Sequence, residues 1–395
     1  MTLGTTADSS GVAGGVGATV SMTVAAAERL LSRRFGATVR LDEPEVLGGG
    51  AQSTVVRVRV AASPFALPRT LVVKSHPPAG ADAFVREAVS YQLFTALAPD
   101  ERMCPEMFAH DGAERLVVLE DLGRGPTLAD KLLGGDPRAA ERSLLSWARS
   151  MGQLHAGIAG READFSALIR RFGVPKLVDP LADASRAVPA ELPHLLSAGL
   201  GVTTSAAVRT RAAEIMRRVY SAGHRSFSPS DACPDNNLIT SRGVRFLDFK
   251  GGCWRDVLLD AGYLRVPFPS CWCSFSLPAG MAEAMIAAWR AEVREMWPDL
   301  DDDAVLLPSL RDAQLFWVWT STCELLPRSG QSDQPIDPTT PSPSRTVALR
   351  ARWRQLAVDA ERVGDELIGE HARAVVAALE SRFPPEDLLP YPAFR

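Results

Sequence analysis

The sequence is poor in lysine, with 4 against 39 arginines among 395 residues. A GC-rich coding sequence produces such a bias, so most arginines need no separate account. Each lysine gains weight, because arginine does not replace it at a compact phosphate site. The chain also lacks any run of about 18 apolar residues, so it is not expected to span a membrane. It lacks a basic excess, its formal net charge being −4. Nucleic acid and anionic membranes, which both favour basic faces, are therefore not expected as partners. The six cysteines (Cys104, Cys233, Cys253, Cys271, Cys273 and Cys323) are scattered, and only Cys271 and Cys273 are close. No second pair completes a zinc set, and free thiols in a reducing, cytoplasmic compartment are expected. The opening Met1-Thr-Leu-Gly has neither a basic n-region nor an apolar h-region, so it does not read as a secretion signal. No internal repeat is visible.

What is present suits an ordinary globular chain, with 46% hydrophobic and 23% charged residues. Residues 1–21, rich in Gly, Ala, Ser, Thr and Val without periodicity, read as a disordered leader. Helical character begins over 25–34. Strand patterns follow at 39–47, 54–60, 71–74, 106–110 and 116–120, interrupted by one helix over 82–97. The clearest strand alternates Val56, Val58 and Val60 against Arg57 and Arg59. Beyond Gly125 helical patterns dominate, at 141–158, 279–296 and 346–382. A Ser/Pro/Asp/Gly-rich stretch at 328–345 reads as a mobile loop. The expected fold is α+β in two lobes: an N-lobe over 22–122 built on a small antiparallel sheet, and a larger, mainly helical C-lobe over 123–395.

Three groups of residues carry chemistry. Gly48, Gly49 and Gly50, leading to Ser53 between two strands, let backbone N–H groups approach a ligand closely; a flexible hairpin tip is the plainer reading. Lys74 closes an apolar strand. Glu87 falls on the helix face that also carries Phe84, Ala88, Tyr91 and Phe94, where a carboxylate is costly unless paired, and Lys74 is its natural partner. The third group is Ser228-Pro-Ser-Asp231-Ala-Cys-Pro-Asp-Asn236, then Arg245-Phe-Leu-Asp248-Phe-Lys250. Short strands at 237–239 and 244–247 form a hairpin, which sets Asn236 and Asp248 side by side. An amide oxygen and a carboxylate suit a hard cation such as Mg²⁺. Asp231 would lie next to them, free to orient or deprotonate a hydroxyl. Read alone, such residues are also ordinary turn formers.

From about residue 39 to residue 264 the chain resembles the aminoglycoside phosphotransferase family, small-molecule kinases with a protein-kinase-like fold shared with choline kinases. The family's catalytic loop, His-Gly-Asp-x-x-x-x-Asn, is matched by Pro229-Ser230-Asp231-Ala-Cys-Pro-Asp-Asn236, and its metal-binding Asp by Asp248. Its Lys–Glu pair is matched by Lys74 and Glu87, and its glycine-rich loop by the stretch from Gly48 to Ser53. Val118-Leu119-Glu120-Asp121-Leu122 resembles the hinge whose backbone holds adenine, and Asp256-x-x-x-Asp260 an element that buttresses the loop. Two departures stand out. Pro229-Ser230 replaces His-Gly, and Lys250 stands two residues after the metal Asp, where a cation could touch phosphate or weaken a second Mg²⁺ site.

The resemblance implies an ATP- and Mg²⁺-dependent transfer of the γ-phosphate to a hydroxyl of a small molecule. Asp231 would be catalytic, Asn236 and Asp248 would hold the metal, and Lys74, Glu87, Gly48, Gly49, Gly50, Ser53, Glu120 and Leu122 would bind nucleotide. The acceptor would be an antibiotic or related natural product. A kinase of a sugar or amino alcohol, and a nucleotide-binding regulator without catalysis, are the alternatives. For the acceptor site two stretches were candidates: the acidic run Asp299 to Asp303, equally a helix start, and the apolar stretch from Val266 to Phe275, equally plain core.

Overall fold

A computed structural model describes residues 9–48, 53–175, 177–220, 223–266, 268–269, 271–328 and 330–395. The chain divides into two compact units, 1–124 with 165–177, and 125–164 with 178–395. The expected class, α+β with a small antiparallel sheet and a larger helical part, is the class observed.

In the first unit, α1 (Ser9–Phe35) precedes five strands: β1 (Arg40–Gly48), β2 (Thr54–Ala62), β3 (Thr70–Ser75), β4 (Met107–Asp111) and β5 (Leu116–Glu120). They form one antiparallel sheet in the order β1-β2-β3-β5-β4. α2 (Ala81–Thr95) lies between β3 and β4 in sequence. The helix expected over 25–34 is the C-terminal end of α1, which runs back to Ser9, into the stretch read as a disordered leader. Its Ala27, Leu30 and Leu31 pack on Val56, Val58, Leu71, Val73 and Val118 of the sheet. Side chains alternate along a strand. Residues of the opposite parity on β3, Val72 and Lys74, therefore point to the other face, where Lys74 meets Glu87 of α2. Gly48 ends β1 with φ +152°, a conformation that favours glycine. Gly49 and Gly50 lie outside the described residues.

The second unit contains α3 (Leu128–Leu133), α4 (Pro137–Ile158), the start of α5 (Glu162–Arg171), α6 (Pro180–Leu200) and α7 (Ala206–Met216). Then come strands β6 (Arg225–Ser228), β7 (Asn237–Thr240), β8 (Gly243–Phe246) and β9 (Cys253–Asp256). β6 pairs with β9, and β7 with β8. The chain closes with α8 (Val257–Ala261), α9 (Met281–Val293), α10 (Asp303–Leu325), α11 (Arg345–Arg362) and α12 (Glu366–Arg382). The single helix expected over 346–382 is two. Gly364, at φ +71°, ends the first, and the Asp365 carboxylate caps the second by accepting from Ile368 N at 3.1 Å.

The stretch 328–345 is closed on itself. Arg345 N donates to Gln334 O and Ile336 N to Pro343 O, both at 2.9 Å. The acidic run is a helix start: Asp302 caps α10 through Ala304 N at 2.8 Å, and Asp303 pairs with Arg290 at 2.7 Å. Among the described residues no helix is long and apolar enough to cross a membrane.

The helical core holds Trp147, Trp289, Trp319 and Trp353, all fully buried. His371 of α12 sits near two of them, its ring 6.3 Å from Trp319 and 5.8 Å from Trp353. Its Nε2 is buried without a hydrogen-bond partner among the described residues. Burial pushes this imidazole down from 6.5 to about 4. The unfolded chain then binds a proton below about pH 6.5 that the folded chain refuses until about pH 4, so acid favours unfolding across that window. His371→Phe keeps an aromatic ring there and cannot titrate. Urea unfolding from pH 7 to 4 should show the variant losing less stability than wild type, by about 1–3 kcal/mol; parallel curves would refute this role for His371.

Candidate active site

In the first unit Lys74 and Glu87 are brought together as the sequence suggested. Lys74 Nζ donates to Glu87 Oε1 at 2.7 Å, and both side chains are buried. Strand parity aims Lys74 at α2, and the helical stripe aims Glu87 back. A third member was not foreseen: His76 Nε2 lies 2.7 Å from Glu87 Oε2. A carboxylate only accepts, so His76 carries its proton on Nε2, and each oxygen of Glu87 has a donor. The visible signal was the i, i+2 spacing from Lys74.

The stretch after β5 is also fixed. Asp121 takes a two-pronged hydrogen bond from Arg57, Nε to Oδ2 at 2.8 Å and Nη2 to Oδ1 at 2.9 Å. Burial would raise the Asp121 carboxyl, but Arg57 brings it below its usual value. On one side Glu120 donates its N–H to Glu106 O at 2.7 Å and accepts Glu106 N–H on its carboxylate at 3.2 Å. Leu122 follows, half-buried, and Ser53, just before β2, is half-buried too.

In the second unit the loop from Pro229 to Asn236 runs between β6 and β7. Leu247 N donates to Asn236 O at 2.9 Å, and Asn237 pairs with Phe246. The hairpin thus sets Asn236 and Asp248 at its open end, one just before β7 and one just after β8. Asp231 is near Asp248 as well: Lys250 Nζ lies 3.5 Å from Asp231 Oδ2 and 3.3 Å from Asp248 Oδ2. Asp248 Oδ1 accepts the Lys250 backbone N–H at 3.0 Å. Asp231 Oδ1 is buried and has no hydrogen-bond partner among the described residues. Burial raises the Asp231 carboxyl, Lys250 opposes the rise, and Asp248 and Asp235 add to it. An acceptor with a spare lone pair near a second carboxylate, at the open end of a hairpin that Asn236 begins, is a donor set that suits a small hard cation and a hydroxyl.

The loop is held from behind by buried groups. Asp260 of α8 accepts from Ser228 Oγ on Oδ1 at 2.8 Å and from His155 Nε2 on Oδ2 at 3.1 Å. Trp289 donates its indole N–H to His155 Nδ1 at 3.1 Å. That leaves the proton on Nε2 and fixes the tautomer. Arg255 Nη1 donates to Ser228 Oγ at 2.7 Å, and its fork binds Asp179 at 2.6 and 2.7 Å. Ser228 Oγ in turn receives Ser230 N–H at 3.2 Å, and Tyr263 donates its hydroxyl to Ser230 O at 3.0 Å. Asn237, fully buried, donates its amide to Ala232 O at 3.1 Å and to Cys233 O, clamping the loop's far end.

No protein-family model matches the chain, and no curated protein matches it. Solved structures do resemble it. A choline/ethanolamine kinase family protein from Mesorhizobium loti is 15% identical over 85% of this chain and 93% of its own, with a TM-score of 0.44. A choline kinase from Streptococcus pneumoniae is 11% identical over 89% and 98%, at 0.41. A thermostable mutant of the aminoglycoside phosphotransferase APH(4)-Ia is 15% identical over 89% and 98%, also at 0.41. At these identities and TM-scores nothing about their substrates transfers to this chain.

One expectation is overturned. Cys233 and Cys271 are joined in a disulfide, while Cys104, Cys253, Cys273 and Cys323 are not disulfide-bonded. The sequence drew attention to Cys271 and Cys273, whereas the fold brings together residues 38 apart, with Cα atoms 5.6 Å from each other. The bridge lies within 4.8 Å of the Asp231 carboxylate, and the bonded sulfurs are not thiolate ligands. A structural disulfide is uncommon in a reducing compartment, so the cysteines no longer argue for one. Cys271→Ser should lower stability by about 2–4 kcal/mol, the range for closing a loop of this size. Denaturation of variant and wild type, with and without reductant, checks this: reductant should weaken only wild type.

Ser230 adopts φ +68°, and Asp231 N turns back to Pro229 O at 2.8 Å. Left-handed backbone costs a non-glycine residue about 1–2 kcal/mol. Space is also tight, since a Cβ added at Gly251 would lie 2.8 Å from Ser230 Cβ. Ser230→Gly should raise stability by about 1 kcal/mol in chemical denaturation, after allowance for glycine's greater unfolded freedom. A destabilised variant would mean that the turn carries no strain.

Proposed function

We propose that the protein transfers the γ-phosphate of Mg·ATP to a hydroxyl of a small molecule, an antibiotic or related natural product. The observation that carries this reading is Asp231: an acceptor oxygen without a hydrogen-bond partner among the described residues, on a loop fixed from behind, near Asp248. Phosphoryl transfer asks a protein mainly for positioning and charge neutralisation, because its transition state is loose. In the first unit Lys74, its ammonium held by Glu87, supplies a cation for the α- and β-phosphates, and the ends of the loop that follows β1, Gly48 and Ser53, would offer backbone groups to them. Glu120 to Leu122 offers backbone groups to adenine. In the second unit Asn236 and Asp248 would hold Mg²⁺, which when bound neutralises phosphate charge. Asp231 Oδ1 accepts the acceptor's O–H and points its oxygen for in-line attack. Its burial favours taking up the proton as the new bond forms.

Lys250 favours a second reading. An ammonium already placed between Asp231 and Asp248 lowers the negative potential that a metal would meet. A nucleotide-binding regulator without turnover is the outcome if it stays there.

Transfer from γ-labelled Mg·ATP across a panel of antibiotics, sugars and amino alcohols separates the readings. Wild type should label an acceptor, and Asp231→Ala should lose at least about a hundredfold in kcat while retaining ATP binding. ATP binding without label on any acceptor would support the regulator. Absence of ATP binding would refute both.

A further inference from the structure

The second unit holds a cavity of about 390 Å³, walled by the stretch after α8, the start of α9, one face of α11 and Leu388. Its apolar wall includes Val266, Phe275, Leu277, Pro278 and Leu388. Three arginines and one glutamate line it: Arg265, Arg352, Arg362 and Glu283. Two of the arginines are matched. Glu283 accepts from Arg265 at 2.7 Å and from Arg362 at 3.4 Å, and Asp359 stands 3.9 and 3.5 Å from the same two.

Arg352 is different. It is only 5% exposed, its Nη2 donates to Ser274 Oγ at 2.9 Å, and its Nη1 has no hydrogen-bond partner among the described residues. Glu324 supports its charge without forming an ion pair, and burial still pushes the guanidinium down to about 10. A buried cation with a spare donor is costly unless something completes it. Ser274 fixes one side of the planar fork; Nη1 on the other side is covered in this structure, so an anionic oxygen, the group a guanidinium binds best, reaches it when the side chains over it shift. Apolar walls with a few placed polar and charged groups are the usual make-up of a small-ligand site, and the volume falls in the usual range.

We infer that this cavity binds a small organic anion, with carboxylate or phosphate oxygens on Arg352 and an apolar body against Phe275 and Leu277. None of the catalytic, metal or nucleotide residues proposed above lines it, and the binding test does not depend on turnover, although Val266, Ser274 and Phe275 belong to the apolar stretch that the sequence offered for the acceptor.

Isothermal titration of the full chain with 3-phenylpropionate, phenyl phosphate and the neutral 3-phenylpropanamide tests it. At least one anion should bind, and the amide should bind roughly tenfold more weakly or worse. Arg352→Gln should cost a similar factor. Ala282→Phe fills the cavity from its wall while leaving Arg352 in place, so it serves even where the arginine variant folds poorly; it should abolish binding. Whether the carboxylate or the phosphate binds more tightly identifies the anion class. The inference is overturned if neither anion binds at millimolar concentration, if the amide matches them, or if Ala282→Phe binds like wild type.

Discussion

The buried carboxylate of Asp260 is the point on which the candidate site depends. It is 2% exposed and is reached by Ser228 from β6 and His155 from α4. A carboxylate so placed is tolerable only when its oxygens are fully partnered. Each partner is fixed in turn, Ser228 by Arg255 and His155 by Trp289. The same Ser228 hydroxyl holds Ser230, one residue before Asp231. Rigidity therefore passes from the helical core to Asp231 through side chains that are each committed at both ends, the condition under which a buried polar network specifies one geometry.

This network explains how the loop forms without the His-Gly that the resemblance would put before Asp231. A histidine does reach the loop's support, from α4 and 105 residues away from Asp260 in sequence. The glycine's conformation is adopted by Ser230, and the strain is countered by hydrogen bonds to its N–H and its carbonyl. The departures are thus absorbed by the scaffold, and Asp231, Asn236 and Asp248 keep their order on the hairpin.

The elements with strong local signals were legible. Strands β1 to β5 fall within a residue or two of the sequence reading; the signal is clearest in β2, where Val and Arg alternate, and in the apolar runs of β3 and β5. The pairing of Lys74 with Glu87 followed from periodicity, and the placement of Asn236 and Asp248 at the open end of one hairpin from its turn signal. What escaped has two physical causes. Helices α6 and α10 carry Pro189, Pro193 and Pro308, which break the local pattern although burial of Leu192, Leu310 and Phe316 stabilises the helices. The pairing of Cys233 with Cys271, the reach of His155 to Asp260 and the addition of His76 to Glu87 are tertiary or same-face contacts. His155 was visible on its helical stripe, but a stripe gives a direction and no partner.

Lys250 sets the remaining constraint, and its side chain differs in kind from those around it. Asp231 hangs on a strained and hydrogen-bonded turn with a disulfide alongside, and Asp248 is pinned by the Lys250 backbone N–H. The ammonium sits at the end of a flexible stem, about one third exposed. Its attraction to two carboxylates is screened by the water it still contacts, so it is worth far less than a buried pair. A divalent ion attracts the same carboxylates with twice the charge. In the proposed reaction the carboxylates stay where the scaffold puts them, and the lysine is the group that can move aside.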